Sequence, residues 1–291
     1  MDDGTVLVGR YAVRAPLGSG ATATVYTAED LALGRTVAVK LFGPPSEVSD
    51  AERRRDEARV LATLRHPAIV TIFDAHLDHD PPFLVLEYVP GPTLADVLAE
   101  GPLPRERARL LGAATAAGLA RAHDAGVVHR DVKPANIVIP EDRRDGAARL
   151  VDFGIADSPA TTARDGFSVL GSASYLSPEQ AVGEPVGPAS DVYSLGLVLI
   201  EALVGRPAFP GSSPAAIAVR LFEAPPLDDP ALAEDAGLLA RMTAREPADR
   251  PSAAEVAAVL GARTPRPPEP PLAAGSGARL PPTEALAVTT P

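Results

Sequence analysis

At Pro90-Gly91-Pro92 the sequence changes period, and with it the kind of structure it can form. Upstream, residues 11–17, 23–29 and 35–42 are β-branched or alternate apolar with polar, with Gly between the runs, and 70–77 and 83–88 read the same way. One helix interrupts these strands at 49–64, behind a Ser or Asp cap, with Glu57, Leu61 and Leu64 at i, i+4 and i+7. From Thr93 onward, runs near 93–99, 104–125, 190–204, 213–222, 231–244 and 252–260 have helical spacing and are separated by loops rich in Gly, Pro and Asp. The expectation is an α+β chain of two lobes: a small β-rich lobe over about 10–88, a connector at 87–92 and a larger helical lobe over about 93–262. Residues 1–9 read as a leader, and 263–291, Pro- and Ala-rich with few bulky apolar side chains, as a disordered tail. There is no internal repeat.

With 291 residues, 46% of them hydrophobic, the chain can bury a substantial core. The absence of cysteine removes disulfide and thiolate chemistry and makes the reducing cytosol the natural compartment. The acidic N-terminus has no apolar run, and the longest apolar stretch, Val192 to Val204, is too short to span a bilayer and contains Glu201. A cytoplasmic protein without a membrane span is expected. A net charge of −11 argues against nucleic acid as a partner. Of the 27 basic residues only Lys40 and Lys133 are lysines. GC-rich codon usage accounts for the excess of arginine, not for which two lysines remain. A compact ammonium fits a tight phosphate site better than a guanidinium, so both are site candidates.

Three segments carry chemistry. Leu17-Gly18-Ser19-Gly20-Ala21-Thr22-Ala23-Thr24-Val25 joins two strands, and its glycines let backbone amides approach phosphate oxygens, although Gly-X-Gly between strands is also an ordinary hairpin turn. On the next strand, alternation puts Val37, Val39 and Leu41 on one face and Ala38, Lys40 and Phe42 on the other. His129-Arg130-Asp131-Val132-Lys133-Pro134-Ala135-Asn136 is followed by Ile137-Val138-Ile139 and then by Asp152-Phe153-Gly154. Together these supply a carboxylate base, cations for phosphates and hard oxygen ligands for a divalent ion.

With these motifs in this order, the sequence resembles the eukaryotic-like (Hanks-type) protein kinases in their bacterial Ser/Thr branch, over about residues 10–262. The resemblance implies the bilobal kinase fold, ATP with Mg²⁺ (Mn²⁺ as an alternative ion), and transfer of the γ-phosphate to Ser or Thr of protein substrates, autophosphorylation included. It implies that Asp131 is the base, that Lys133 contacts the γ-phosphate, and that Lys40 holds the α/β-phosphates and pairs with Glu57. Asn136 and Asp152 hold the metal. The loop Leu17 to Val25, with Ala23 in place of a third glycine, covers ATP. Ala38 and Val138 join Leu17 and Val25 around adenine, with Leu86, Glu87 and Val89 in the hinge. The same resemblance implies a packed structural His129 against Phe153, in an apolar column with Leu61 and Ile72. In Gly171 to Glu179, which positions the acceptor peptide, Ser172 stands where Thr is usual and bridges Asp131 and Lys133. Glu179 pairs with Arg250, and Asp191 anchors the catalytic loop.

Arg130 beside the base calls for an anion, which a phosphate between Asp152 and Glu179 would supply. Thr161, Thr162 and Ser168 are the candidate acceptors, modified in trans within a transient homodimer, while Asp157 or Asp165 acting as a fixed anion is the competing device. Two other functions compete with this reading. A small-molecule phosphotransferase would lack a peptide-positioning segment, and a non-catalytic kinase-like scaffold would usually lack one of the lysine, base or metal-ligand residues. All of these are present here.

Overall fold

The computed structural model describes residues 4–20, 23–43, 48–141, 147–153, 172–209, 211 and 223–262. In the first part, six strands form one antiparallel sheet. They are β1 (Val6–Leu7), β2 (Tyr11–Ser19), β3 (Ala23–Asp30), β4 (Arg35–Phe42), β5 (Ile72–His76) and β6 (Phe83–Glu87), in the order β1-β2-β3-β4-β6-β5. The segment read as a leader therefore contributes a strand, with Val6 opposite Ala12. The β3–β4 register runs unbroken from Ala23↔Phe42 to Asp30↔Arg35, whereas β2 slips around Pro16, which has no N–H to give the ladder.

The alternation read from β4 sorts its side chains into two cores. Val37, Val39 and Leu41 pack with Tyr11, Val13, Phe83 and Val85 on one face of the sheet. Ala38 and Phe42 enter the main core on the other face, where helix α1 (Val48–Thr63) delivers Ala58, Leu61 and, just past its end, Leu64. Lys40 shares this second face and is 8% exposed, which puts a buried ammonium at the edge of an apolar core.

Beyond β6 the connector is tied to the helical part by backbone. Ile139 N–H donates to Pro92 O at 2.9 Å and Glu141 N–H to Pro90 O at 3.0 Å. Gly91, at φ +145°, fits between them because a Cβ there would sit 2.1 Å from Ile139 O. The second part contains α2 (Leu94–Ala99), capped by a Thr93–Asp96 box, α3 (Arg105–Asp124), a two-stranded pair β7 (Ile137–Val138) and β8 (Arg149–Leu150), α4 (Pro178–Val182), α5 (Pro188–Val204), α6 (Ala236–Met242) and α7 (Ala253–Gly261). From Ser190 to Leu203 every residue of α5 except Glu201 is buried, as its apolar sequence requires. The helix expected at 231–244 is broken into a 3-10 turn, Pro230–Leu232, and α6. At the break, buried Asp235 accepts hydrogen bonds from Arg105 and Arg109. The expected helix at 213–222 and the tail at 263–291 lie outside the described residues.

Candidate active site

The segment between α3 and β7 is held by one buried carboxylate. Asp191, in the first turn of α5 and 1% exposed, accepts from the backbone N–H groups of His129 and Arg130 at 2.8 Å each, and its Oδ2 lies 2.7 Å from His123 Nε2. Arg130 takes a positive φ of 68°, a conformation that a non-glycine residue keeps only when its surroundings impose it. Next in the chain, Asp131 Oδ2 accepts from Lys133 Nζ at 2.7 Å and from Asn136 Nδ2 at 2.9 Å. Asn136 Nδ2 also donates to Asp131 O at 2.8 Å, which commits the amide nitrogen and makes its oxygen the atom a metal would take. The expected base, cation and amide ligand therefore meet on one carboxylate.

His129 is fully buried, and burial pushes its imidazole below the usual histidine range. The neutral ring donates from Nε2 to Val151 O at 3.0 Å and accepts at Nδ1 from Asp131 N–H at 3.3 Å. Its centroid lies 4.4 Å from the Phe153 ring, and Phe153, Leu61 and Ile72 line one apolar cavity together with Lys40 and Asp152. The structural reading of His129 and the apolar column both agree with this packing.

One expected pairing does not form. Lys40 Nζ lies 3.2 Å from Asp152 Oδ1, and Glu57 Oε1 instead accepts from Arg130 Nη1 at 3.0 Å. Here α1 offers its carboxylate to the segment between α3 and β7 rather than to β4. Asp152, like Arg130, has a positive φ, of 59°, so both segments expected to carry the chemistry contain a constrained residue.

Between β2 and β3, Gly20 N–H donates to Ala23 O at 2.8 Å, and the Ser19 and Thr24 hydroxyls lie 3.3 Å apart. A Cβ on Gly18 would meet nothing within 4 Å, and on Gly20 only Ala23 O at 3.6 Å. The described fold does not itself need these glycines, which fits a backbone kept clear for a ligand. Ala21 and Thr22 lie outside the described residues. Ala38, Leu86, Val25 and Val89 pack on the main core, Val138 on β7 is half-buried, and Leu17 is 50% exposed. Glu87 is engaged locally: its Oε2 accepts from Thr71 N–H at 3.1 Å and its Oε1 lies 3.4 Å from Arg149 Nη2.

The far end of the segment expected to position the acceptor peptide carries the expected ion pair. Arg250 Nη1 and Nη2 reach Glu179 Oε1 and Oε2 at 2.7 and 2.9 Å, with Ser190 Oγ also on Oε1 at 2.5 Å. Burial alone would raise the Glu179 carboxyl, but the Arg250 and Ser190 hydrogen bonds override it and hold the group below its ordinary value. The side chain of Ser172, and the whole of Asp157, Thr161, Thr162, Asp165 and Ser168, lie outside the described residues. Two contacts went unseen in the sequence. Tyr175 donates to Glu201 Oε2 at 2.5 Å, where burial raises both groups. Gln180 Nε2 donates to Arg130 O at 2.7 Å, and the capping-box spacing from Ser177 to Gln180 was the signal that could have singled Gln180 out.

A two-lobed fold with a glycine-rich hairpin, a strand lysine and an Asp–Lys–Asn cluster beside a second carboxylate defines a phosphotransferase architecture. The protein kinase domain family model matches residues 11–259, and the chain belongs to that family. Among its relatives, serine/threonine-protein kinase pkn2 of Myxococcus xanthus is 43% identical over 249 residues, covering 82% of this chain and 30% of that protein. Serine/threonine-protein kinase PknB of Mycobacterium tuberculosis is 42% identical over 241 residues, covering 79% and 38%. The crystal structure of a point mutant of the Mycobacterium tuberculosis PknI kinase domain superposes with a TM-score of 0.71 at 28% identity, covering 90% of this chain and 98% of that one. The chain thus spans about a third of the length of the curated relatives it matches. No helix among the described residues is long and apolar enough to cross a membrane.

Proposed function

We propose that this chain is an ATP-dependent serine/threonine protein kinase acting in the cytoplasm on protein substrates. The observation that carries the reading is the convergence of Lys133 Nζ and Asn136 Nδ2 on Asp131 Oδ2, at 2.7 and 2.9 Å. In the reaction, the acceptor hydroxyl gives its proton to the Asp131 carboxylate as its oxygen bonds to the γ-phosphorus. The bond from that phosphorus to the β,γ-bridging oxygen breaks, and ADP leaves. Lys133 offsets charge on the transferred group, and Lys40 does so on the phosphates that remain. Asn136 and Asp152 offer an amide and a carboxylate oxygen, a hard donor set suited to Mg²⁺ completed by phosphates and water. The bound ion would neutralise charge on the β and γ oxygens.

The observed pairing supports a mode of regulation. Arg130 is satisfied by Glu57, so a phosphate among Thr161, Thr162 and Ser168 would compete for the guanidinium and release Glu57 toward Lys40. Modification in trans by a transient homodimer would deliver that phosphate. Incubating the chain with γ-labelled ATP and Mg²⁺, with and without myelin basic protein, tests the reading, and no label on either protein overturns it. Mass mapping together with a Thr161/Thr162/Ser168 triple alanine variant tests the switch. If the triple variant matches the parent rate, the hydroxyls are not the switch.

A further inference from the structure

Gln180 uses both ends of one amide on groups from different elements. Its Oε1 accepts from Ser177 N–H at 3.0 Å and from Ser177 Oγ at 3.2 Å, closing the cap of α4. Its Nε2 donates to Arg130 O at 2.7 Å. These partners fix the amide's orientation, because a backbone N–H needs an acceptor and a carbonyl needs a donor.

Arg130 is the residue before the base, in the left-handed region at φ 68°. A non-glycine residue keeps that conformation only where neighbours over-determine it. Asp191 holds its N–H, Glu57 its guanidinium and Gln180 its carbonyl. The Arg130 carbonyl and the Asp131 nitrogen belong to one planar peptide, so anchoring the oxygen sets the plane from which the Asp131 side chain departs.

We propose that Gln180 is a positioning residue for phosphoryl transfer. It locks the Arg130–Asp131 peptide to the start of α4, so the base is aligned only when the peptide-positioning segment that ends there is in place. The proposal rests on the kinase reading of the site. Gln180→Glu isolates the donor: Glu is the other usual partner in a capping box and keeps the acceptor for Ser177, but its carboxylate cannot donate to Arg130 O. Gln180→Met removes all three hydrogen bonds of the amide and carries no charge.

The full chain is assayed with γ-labelled ATP, Mg²⁺ and myelin basic protein. Both variants are expected to lose about tenfold in kcat, with KM for ATP within about twofold of the parent and, for Gln180→Glu, an unchanged thermal midpoint. An inactive parent would overturn the kinase reading and the proposal with it. With an active parent, the positioning role alone is overturned if Gln180→Met keeps the parent kcat, or if kcat falls only in step with the folded fraction.

Discussion

Lys40 is 8% exposed, lies on β4 opposite Val25 and makes an ion pair with Asp152 at 3.2 Å. Lys40→Arg keeps the charge but brings a wider, planar group into that space, so a loss of at least about 100-fold in kcat is expected, with an unchanged thermal midpoint. A steady-state assay at equal folded fraction checks it. His129 gives a prediction with a definite sign. Burial holds its folded pKa below the unfolded value of about 6.5, so the unfolded chain takes up a proton first on acidification. Its contribution to stability is complete above about pH 6.5 and is lost as pH falls below that, by up to about 1.4 kcal/mol per pH unit. Urea titrations of parent and His129→Asn at stepped pH should differ in slope by that amount, and equal slopes would refute it. Asp131, Lys133 and Asn136 were legible because they fall in one short run of the chain, and Lys40 and Asp152 because the motifs around them resemble those of a known family. The partner of Glu57 was not, since it depends on where α1 sits relative to the catalytic segment. Gln180 escaped because its partners are largely backbone groups, which carry no residue identity.

Among the elements, the β2–β3 hairpin and the connector use glycine for opposite reasons. Gly91→Ala would drive a Cβ toward Ile139 O and strain a φ of +145°, so a loss of at least about 2 kcal/mol is expected in urea denaturation. Gly18→Ala meets no such obstacle and should leave stability within about 0.5 kcal/mol of the parent while raising KM for ATP. The reverse ordering of the two variants in stability would refute the assignment. Long elements were readable from period: α3 and α5 lie within two residues of their expected limits. β7 and β8, two residues each, are too short to show any period and exist through their pairing with each other. The split before α6 comes from Asp235 turning its side chain to Arg105 and Arg109, a pull between residues far apart in sequence.

Across the molecule, a buried pair in the helical lobe spans 71 positions, Arg250 with Glu179, whose side chains are 0% and 5% exposed. Arg250→Met would leave the Glu179 carboxylate buried without its cation, at an expected cost of about 3–5 kcal/mol, read as a lowered urea midpoint. The double variant Arg250→Met/Glu179→Met should recover part of that loss, and a double variant no more stable than Arg250→Met would show that the unpaired charge was not the cause. The chain's only two lysines both end on carboxylates of the proposed site, one on Asp152 and the other on Asp131. Along these 291 residues, side-chain amines therefore occur only at these two ion pairs. On the proposed kinase reading, a lysine-directed affinity label on this chain would act as a footprint of nucleotide occupancy, and chemistry that caps lysine would strike the chain only where capping should silence it.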